Sequence, residues 1–440
     1  MTQKDLLLQL LQRLNEPAAK YADLDRYYTG NQPLAFLSPE AKVALGNRFG
    51  LMASNIPRLA VTALAERLRI SGFSDPAVWA DWVRCDMDQL SGVAHREALL
   101  LGDSYVLVWT RPDGRPNVTV ESAKQVAVLT DPGTRQIVAG LKRWESKPEN
   151  CTHAVLYLPD RIVRLRAEQV GTVTATGFNV VGEIANPLGV VPVVNLRNTD
   201  RILGDRGGSE IDDLRPLVDA LNKSLADMMV TSETCARPRR WSSGIELSEE
   251  PVLDENGDPV LDEDDQPVMT ETNPFPESHK MMVSENENAK FGQLQAADLA
   301  GYEASVRVIL GQIMAVSTLP AHYVGVFTDN PASADALRAA EASLTARAEA
   351  RQQTFGRSWE QVAKLMIAVR DGRDPGLIDD IRVKWADAAT RSVAQEADAV
   401  VKLYQAGLLP ADYALGKLGY SDDEIAKVNA ARPATMPAVA

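Results

Sequence analysis

Cysteine is nearly absent. The 440-residue chain has three, Cys85, Cys151 and Cys235. They are odd in number, far apart and without Cys-x-x-Cys spacing, which excludes a disulfide frame, argues against a zinc site and fits a reducing compartment. Histidine is as sparse. His95, His153, His279 and His322 stand alone, with no HExxH and no second histidine at ligand spacing, so satisfied structural histidines are expected. No stretch approaches the ~20 apolar residues that span a bilayer, so no membrane segment is expected. The leucine-rich start, Lys4 to Arg13, is interrupted by Gln9 and Gln12 and precedes no small-residue cleavage site, unlike a signal peptide. Base is in deficit too, with 46 Lys and Arg against 60 Asp and Glu. That excludes tight non-specific nucleic-acid binding by the whole surface, which needs excess cation to neutralise phosphate.

The acid is concentrated. Twelve carboxylates lie between Glu246 and Glu277, and no Lys or Arg occurs between Arg240 and Lys280. Without them the chain has 48 acids against 46 bases. A nearly neutral body thus carries one charged insert, flanked by helical patterns, as a partner-facing tip would be. The insert repeats: Pro251-Val252-Leu253-Asp254-Glu255 returns as Pro259-Val260-Leu261-Asp262-Glu263, and Pro267-Val268-Met269 begins a weaker third copy. Glu255-Asn256-Gly257-Asp258 between the first two is a hairpin-turn signal, so a small acidic β-hairpin is expected.

Periodicity gives an α+β chain, mainly α. The first ~100 residues read mostly helical, with helix starts at Asn55-Ile56-Pro57 and Pro76. From Ser104 to about Val194 the pattern turns to short β-rich runs separated by Pro112-Asp113-Gly114, Asp131-Pro132-Gly133 and Pro159-Asp160. No helical pattern lies between the runs, which predicts antiparallel pairing. Helical spacing returns from Ser209 to Met228, where Pro216 demands either a kink or a helix beginning near Asp213. A second helix carries Leu294, Leu299, Tyr302, Val306, Ile309, Leu310, Ile313 and Met314 on its apolar side and breaks at Leu319-Pro320. A very long pattern then runs from Ala332 to about Arg370, with Gly356 as a bend site. A strand at Ile381–Trp385 and helices at about 392–406, 410–418 and after Ser421 complete the chain.

No catalytic, cofactor-binding or metal-binding residue is expected. Gly204-Asp205-Arg206-Gly207-Gly208-Ser209 precedes a helix but lacks the Gly-Lys-Ser/Thr of a P-loop, and a hinge is the favoured reading over a phosphate cradle. Asp254 to Asp258 places its glycine too early for a calcium loop. Arg237-Pro238-Arg239-Arg240-Trp241 is the basic-aromatic cluster of the chain; it can touch nucleic acid or, the reading preferred, pair with acids downstream or on a neighbour.

The order helix, insert, helix, loop, long helix and small helical C-terminus resembles the portal proteins of siphophage-type tailed bacteriophages that infect actinobacteria. Local marks of the likeness are Tyr27-Tyr28-Thr29-Gly30, Asn55 to Leu68 with Gly72-Phe73, Asn330 to Leu337, Trp385-Ala386-Asp387 and Ala397 to Leu403. The resemblance implies a virion component at the capsid portal vertex, a homo-oligomeric ring of about twelve copies enclosing a channel for double-stranded DNA. It implies a portal-like protomer: a wing at 1–205, β-rich over 104–195; stem helices at 206–235 and 291–318; a clip at 236–290; a tunnel-loop region at 319–334; a long kinked helix returning to the wing at 335–390; and a crown at 391–440. Phe327, Thr328, Asp329, Asn330, Pro331 and Ala332 would face DNA. Arg237, Arg239, Arg240, Trp241, Asp254, Asp258 and Asp262 would form the partner surface. The implied partners are the terminase large subunit, a head–tail adaptor and the major capsid or scaffolding protein. Two other readings stay open: a cytosolic enzyme dimerised by its long helix with a phosphate site near Gly207, and a scaffold whose acidic hairpin binds a basic partner.

Overall fold

A computed structural model describes residues 2–34, 53–202, 204–236, 240–244, 248–252, 257–262, 266–272, 287–293, 299–326, 333–389, 393–418, 420 and 422–431. The chain divides into two compact units, one of residues 1–32, 53–218 and 311–440, the other of 33–52 and 219–310.

In the first unit, α1 (Gln3–Asn15) starts under a reciprocal cap: Asp5 N donates to Thr2 Oγ1, and Thr2 N donates to the Asp5 carboxylate. Leu7, Leu10, Leu11 and Leu14 fall on one stripe and are buried. They pack with Leu141, Leu156, Val163 and Leu165 of the sheet described below. The leucine-rich start is thus an amphipathic helix that closes a β-sheet core. After α2 (Ala18–Thr29) comes α3 (Ile56–Ala65), with Pro57 in its first turn as expected. Asn55 occupies the cap position, but its backbone is left-handed and its side chain makes no capping bond. β1 (Ile70–Phe73), α4 (Pro76–Arg84) and α5 (Met87–Leu101) follow. Asp75 caps α4 by accepting from Ala77 N at 2.9 Å.

Eight strands succeed one another: β2 (Asp103–Thr110), β3 (Pro116–Ser122), β4 (Val126–Thr130), β5 (Ile137–Ser146), β6 (Cys151–Tyr157), β7 (Arg161–Ala167), β8 (Asn179–Ala185) and β9 (Val193–Arg197). They form two sheets, in orders β3-β2-β9 and β4-β5-β6-β7-β8. All pairs are antiparallel, as the lack of crossover helices requires. β8 falls inside the stretch expected to be β-rich, and β9 runs past its expected end near Val194. β8 is exposed along nearly its whole length, so burial imposes no alternation on it.

Helix α6 (Arg215–Ala236) leaves the first unit, and the second unit holds β10 (Arg240–Ser243), β11 (Ser248–Pro251), β12 (Met269–Thr272) and β13 (Lys290–Gln293). Starting at Arg215 puts Pro216 in the first turn, where its missing N–H costs nothing, and that resolves the expected alternative in favour of a late start. Helix α7 (Ala300–Ser317) leads back. It starts later than the apolar spacing predicted, and 290–293 is strand.

Helix α8 (Ala334–Asp371) has 38 residues, or ~57 Å at ~1.5 Å per residue. Ser333 caps it, accepting from Ala336 N at 3.1 Å. It runs unbroken through Gly356, which serves close packing: a Cβ there would lie 3.3 Å from Val383 and 3.4 Å from Trp385. Those two residues belong to β14 (Val383–Trp385), which pairs with β1. α9 (Val393–Gln405), α10 (Ala411–Lys417) and α11 (Asp422–Ala431) end the chain.

Aromatic rings lock α8 to the first unit. Trp82 meets Phe73 and Trp359 edge-on, each at 5.1 Å between centroids. His95 stacks on Phe355 at 5.5 Å and accepts a 2.8 Å hydrogen bond from Trp359 Nε1. Among the described residues no helix is long and apolar enough to cross a membrane.

Candidate functional site

The acidic insert rises from a two-stranded ribbon. β10 and β13 pair with Trp241 opposite Gly292 and Ser242 opposite Phe291. Because opposed residues share a face and successive ones alternate, Trp241 and Phe291 project from opposite faces. Both are exposed, Trp241 at 46% and Phe291 at 41%. The indole lies flat on Gly292, where a Cβ would come within 2.5 Å of the ring. A second ribbon, β11 with β12, sets Glu249 opposite Glu271 and Pro251 opposite Met269.

Above that ribbon the three sequence copies meet. Val252 N donates to Val268 O, Val260 N to Val252 O and Val268 N to Val260 O, each at 2.8 Å. The second and third valines each donate to the copy before, and Val252 donates to Val268, so the three close a cycle. An isolated bridge between Leu261 and Pro267 adds to it. The first half of the turn expected at Glu255-Asn256-Gly257-Asp258 lies outside the described residues; among those described, the third copy is a full member of a three-repeat ring of backbone bonds. Eight-residue spacing allows this, because each copy returns its valine to the same environment. The motif leaves apolar groups outside, with Val252, Val260, Leu261, Val268 and Met269 all at least 36% exposed.

The predicted partner residues distribute as follows. Trp241 stands on the basal ribbon. Asp258 and Asp262 are exposed in the repeat, and the Asp262 carboxylate accepts from Gln266 N at 2.9 Å. Arg240 is the first residue of β10. Arg237, Arg239 and Asp254 lie outside the described residues, as do Phe327, Thr328, Asp329, Asn330, Pro331 and Ala332.

The flanks of 327–332 are tightly held. Before it, a turn at Ala321–Val324 is closed by Val326 N donating to Ala321 O at 3.0 Å. After it, α8 begins at its Ser333 cap. Arg67, at the end of α3, ties the two flanks together: its guanidinium donates to Glu341 on α8 at 3.0 Å and to the Tyr323 hydroxyl at 3.2 Å. His322 lies 3.4 Å from the same Glu341 carboxylate. The meeting of Arg67 with Tyr323 and Glu341 had no sign in the sequence, since residues 256 or more positions apart leave no periodic signal.

The glycine loop is packed rather than open. Gly207 N donates to the buried Asp103 at 2.9 Å, Gly208 N to Asn198 O at 2.8 Å and Ser209 N to Asp212 at 3.3 Å. The amides that would cradle a phosphate are engaged by the protein, and the helix starts only at Arg215. Gly102 and Gly207 touch so closely that a Cβ on Gly207 would sit 1.9 Å from Gly102 O. Burial raises the Asp103 carboxyl above its ordinary range, against the amide bond and nearby Arg197. Beside this contact, Arg351 of α8 reaches Glu210 at 3.0 Å and forks onto Asp200. Arg347 pairs with Glu210 at 2.5 Å. The start of α6 is thereby pinned to the long helix.

His95 is structural, as expected: burial drives it down to about 3, so it stays neutral. His279 lies outside the described residues. His153, in contrast, is not isolated in space. It converges with Cys151 and Glu149, a Cys-x-His arrangement that a search for paired histidines or paired cysteines passes over.

A family model described as "Phage portal protein, SPP1 Gp6-like" matches residues 10–435. The portal protein of Mycobacterium phage L5 is 29% identical over 394 residues, covering 84% of this chain and 76% of that protein. The portal protein of Mycobacterium phage D29 is 30% identical over 388 residues, covering 83% and 76%. Among solved structures, a chain of the virion of a native gene transfer agent particle aligns with TM-score 0.46 and 15% identity, covering 91% of this chain and 94% of that one. A chain of the neck of that type of particle aligns with TM-score 0.44 and 15% identity, covering 92% and 99%.

Proposed function

We propose, because this chain belongs to the SPP1 Gp6-like family of phage portal proteins, that about twelve copies close into a ring at one capsid vertex, through which DNA enters during packaging and leaves at ejection. It is a structural head–tail connector of a bacteriophage, and not an enzyme. Residues 1–205, with α8 and β14, would make the wing; α6 and α7 the stem; 236–290 the clip; and α9 to α11 the crown. The residues 327–332, between flanks held by Arg67 and Glu341, would face DNA.

One observation carries the assembly part of this reading. Helices α6 and α7 are amphipathic, yet within one chain their apolar faces stay incompletely covered. Tyr302, Val306, Ile309 and Leu310 are only half-buried, and Met229 and Val308 are exposed. Helices side by side in a closed ring cover such stripes, whereas a solitary chain leaves them wet. A near-neutral body also suits a conduit, since each cation bound to phosphate adds grip on DNA.

The clip would dock the terminase large subunit during packaging and the adaptor afterwards. Exposed Trp241 and Phe291, the valine ring and its acids support that role, because aromatic anchors rimmed by charge are the usual makings of an interface. Light scattering and negative-stain images of the purified chain test the ring: annular particles are expected, and a monomer or dimer at every concentration sinks it. Deleting Glu249 to Phe275 tests the clip. Soluble rings that no longer engage motor or adaptor are expected, and normal DNA filling by that variant counts against the assignment.

A further inference from the structure

Three unlike donor atoms converge at the turn joining β5 to β6. Cys151 Sγ lies 3.2 Å from His153 Nε2 and 3.4 Å from Glu149 Oε2, and the nitrogen and carboxylate oxygen are 3.1 Å apart. We propose that Glu149, Cys151 and His153 form a binding site for one borderline-soft divalent cation, zinc(II) foremost, on the five-stranded sheet. Neither the portal reading nor any catalytic role is involved in the site.

The backbone accounts for the convergence. Residues two apart on a strand share a face, so Cys151 and His153 stand side by side at the start of β6. The preceding turn, with Asn150 in the left-handed region at φ 48°, returns Glu149 over them. Trp144, directly opposite His153 in the register, stacks on the imidazole at 5.3 Å and 20° and so holds the ring's plane. A ligating histidine needs such support from its surroundings.

The distances fit. Around a tetrahedral zinc with nitrogen and oxygen at ~2.0 Å and sulfur at ~2.3 Å, neighbouring donors lie roughly 3.3–3.6 Å apart. The three observed separations need to open by only a few tenths of an ångström. Thiolate, imidazole and carboxylate together suit zinc better than calcium or magnesium, which prefer oxygen alone. Cys151 is buried, His153 half-buried and Glu149 exposed, so the ion would face solvent on one side, where water completes the shell. On binding, the Cys151 S–H bond breaks, its proton goes to solvent and the sulfur electron pair goes to the metal. Thiolate and carboxylate then balance the two positive charges.

One neighbour opposes the ion. Arg166, opposite His153 on β7, reaches Glu149 at 3.7 Å. Its charge repels a cation and competes for the carboxylate, so replacing it should strengthen binding, whereas a purely hydrogen-bonded cluster has no metal affinity for Arg166 to oppose.

The experiment uses the full chain, stripped with chelator and titrated with cobalt(II) and with zinc(II). One equivalent per chain is expected, with the sulfur-to-cobalt charge-transfer band and release of a proton. Cys151→Ser should abolish the band, His153→Gln should weaken binding about tenfold or more, and Arg166→Gln should tighten it severalfold. A band that survives Cys151→Ser overturns the site, because the sulfur would then come from another cysteine. The absence of any band in the unaltered chain overturns it equally. Should Cys151→Ser fail to fold, His153→Gln at its partly exposed position decides: unchanged cobalt affinity refutes the proposal, and loss supports it. Ring formation is not the readout, so the outcome is independent of the assembly reading.

Discussion

Acidification is the perturbation that loads the aromatic contact between α5 and α8. His95 is fully enclosed among Phe355, Trp359 and Trp385, and burial lowers it from 6.5 to about 3. The unfolded chain takes up a proton near pH 6.5 that the native chain refuses. Stability is therefore whole above that value and is lost as the pH falls through the window toward 3. The slope approaches ~1.4 kcal/mol per pH unit, so going from about pH 7.5 to about pH 5 removes about 2 kcal/mol through this one ring. Urea unfolding followed by tryptophan emission suits the test, because Trp359 and Trp385 touch the group and Trp82 packs on Trp359. The comparison is His95→Gln, which can still accept from Trp359 Nε1 but does not titrate. It should start weaker at neutral pH and lose about 2 kcal/mol less across the same range. Parallel pH profiles for the two would refute the reasoning, since they would mean that His95 takes its proton while folded.

Three further outcomes are expected. Arg351→Met leaves Glu210 to Arg347 alone and frees the exposed Asp200 of its fork, and should cost about 1–3 kcal/mol, read as a fall in thermal midpoint; Arg351→Lys, keeping charge without the fork, should lose less. Gly207→Ala should cost about 3 kcal/mol or more, read from soluble yield and calorimetry, because its methyl would overlap Gly102 O and the two backbones must separate. Val268→Pro deletes one donor from the valine cycle; hydrogen exchange should show faster exchange at Val252 and Val260 as well, whereas undisturbed protection there would mean that the three bonds are independent.

Much of the fold was legible where burial writes a period into the chain. The stripe of Leu7, Leu10, Leu11 and Leu14 and the 3/4 spacing of α8 each follow from one face meeting a core, and the β-rich runs of β2 to β7 from apolar segments cut by turn residues. Pro216 was read correctly because its chemistry permits few positions in a helix. Strands without a buried face, such as β8, leave no such trace. Gly356 shows a related limit: a glycine in a helix does not announce a close neighbour, and only the fold places Val383 and Trp385 against it. The eight-residue echo in the insert was visible, but a repeat does not state its pairing, and the cycle of valines had no sign in the spacing.

The sequence by itself determined the class of the protein, through the order of its segments and its acidic insert. Local propensity and periodicity are enough for that, because they act between residues close along the chain. Only tertiary structure decided which distant groups meet: Arg67 with Glu341, Arg351 with Glu210 and Asp200, Gly102 against Gly207, and a tryptophan to stack on the His153 ring. Contacts of that kind depend on how packed layers bring remote backbone together, and no spacing along the chain encodes them.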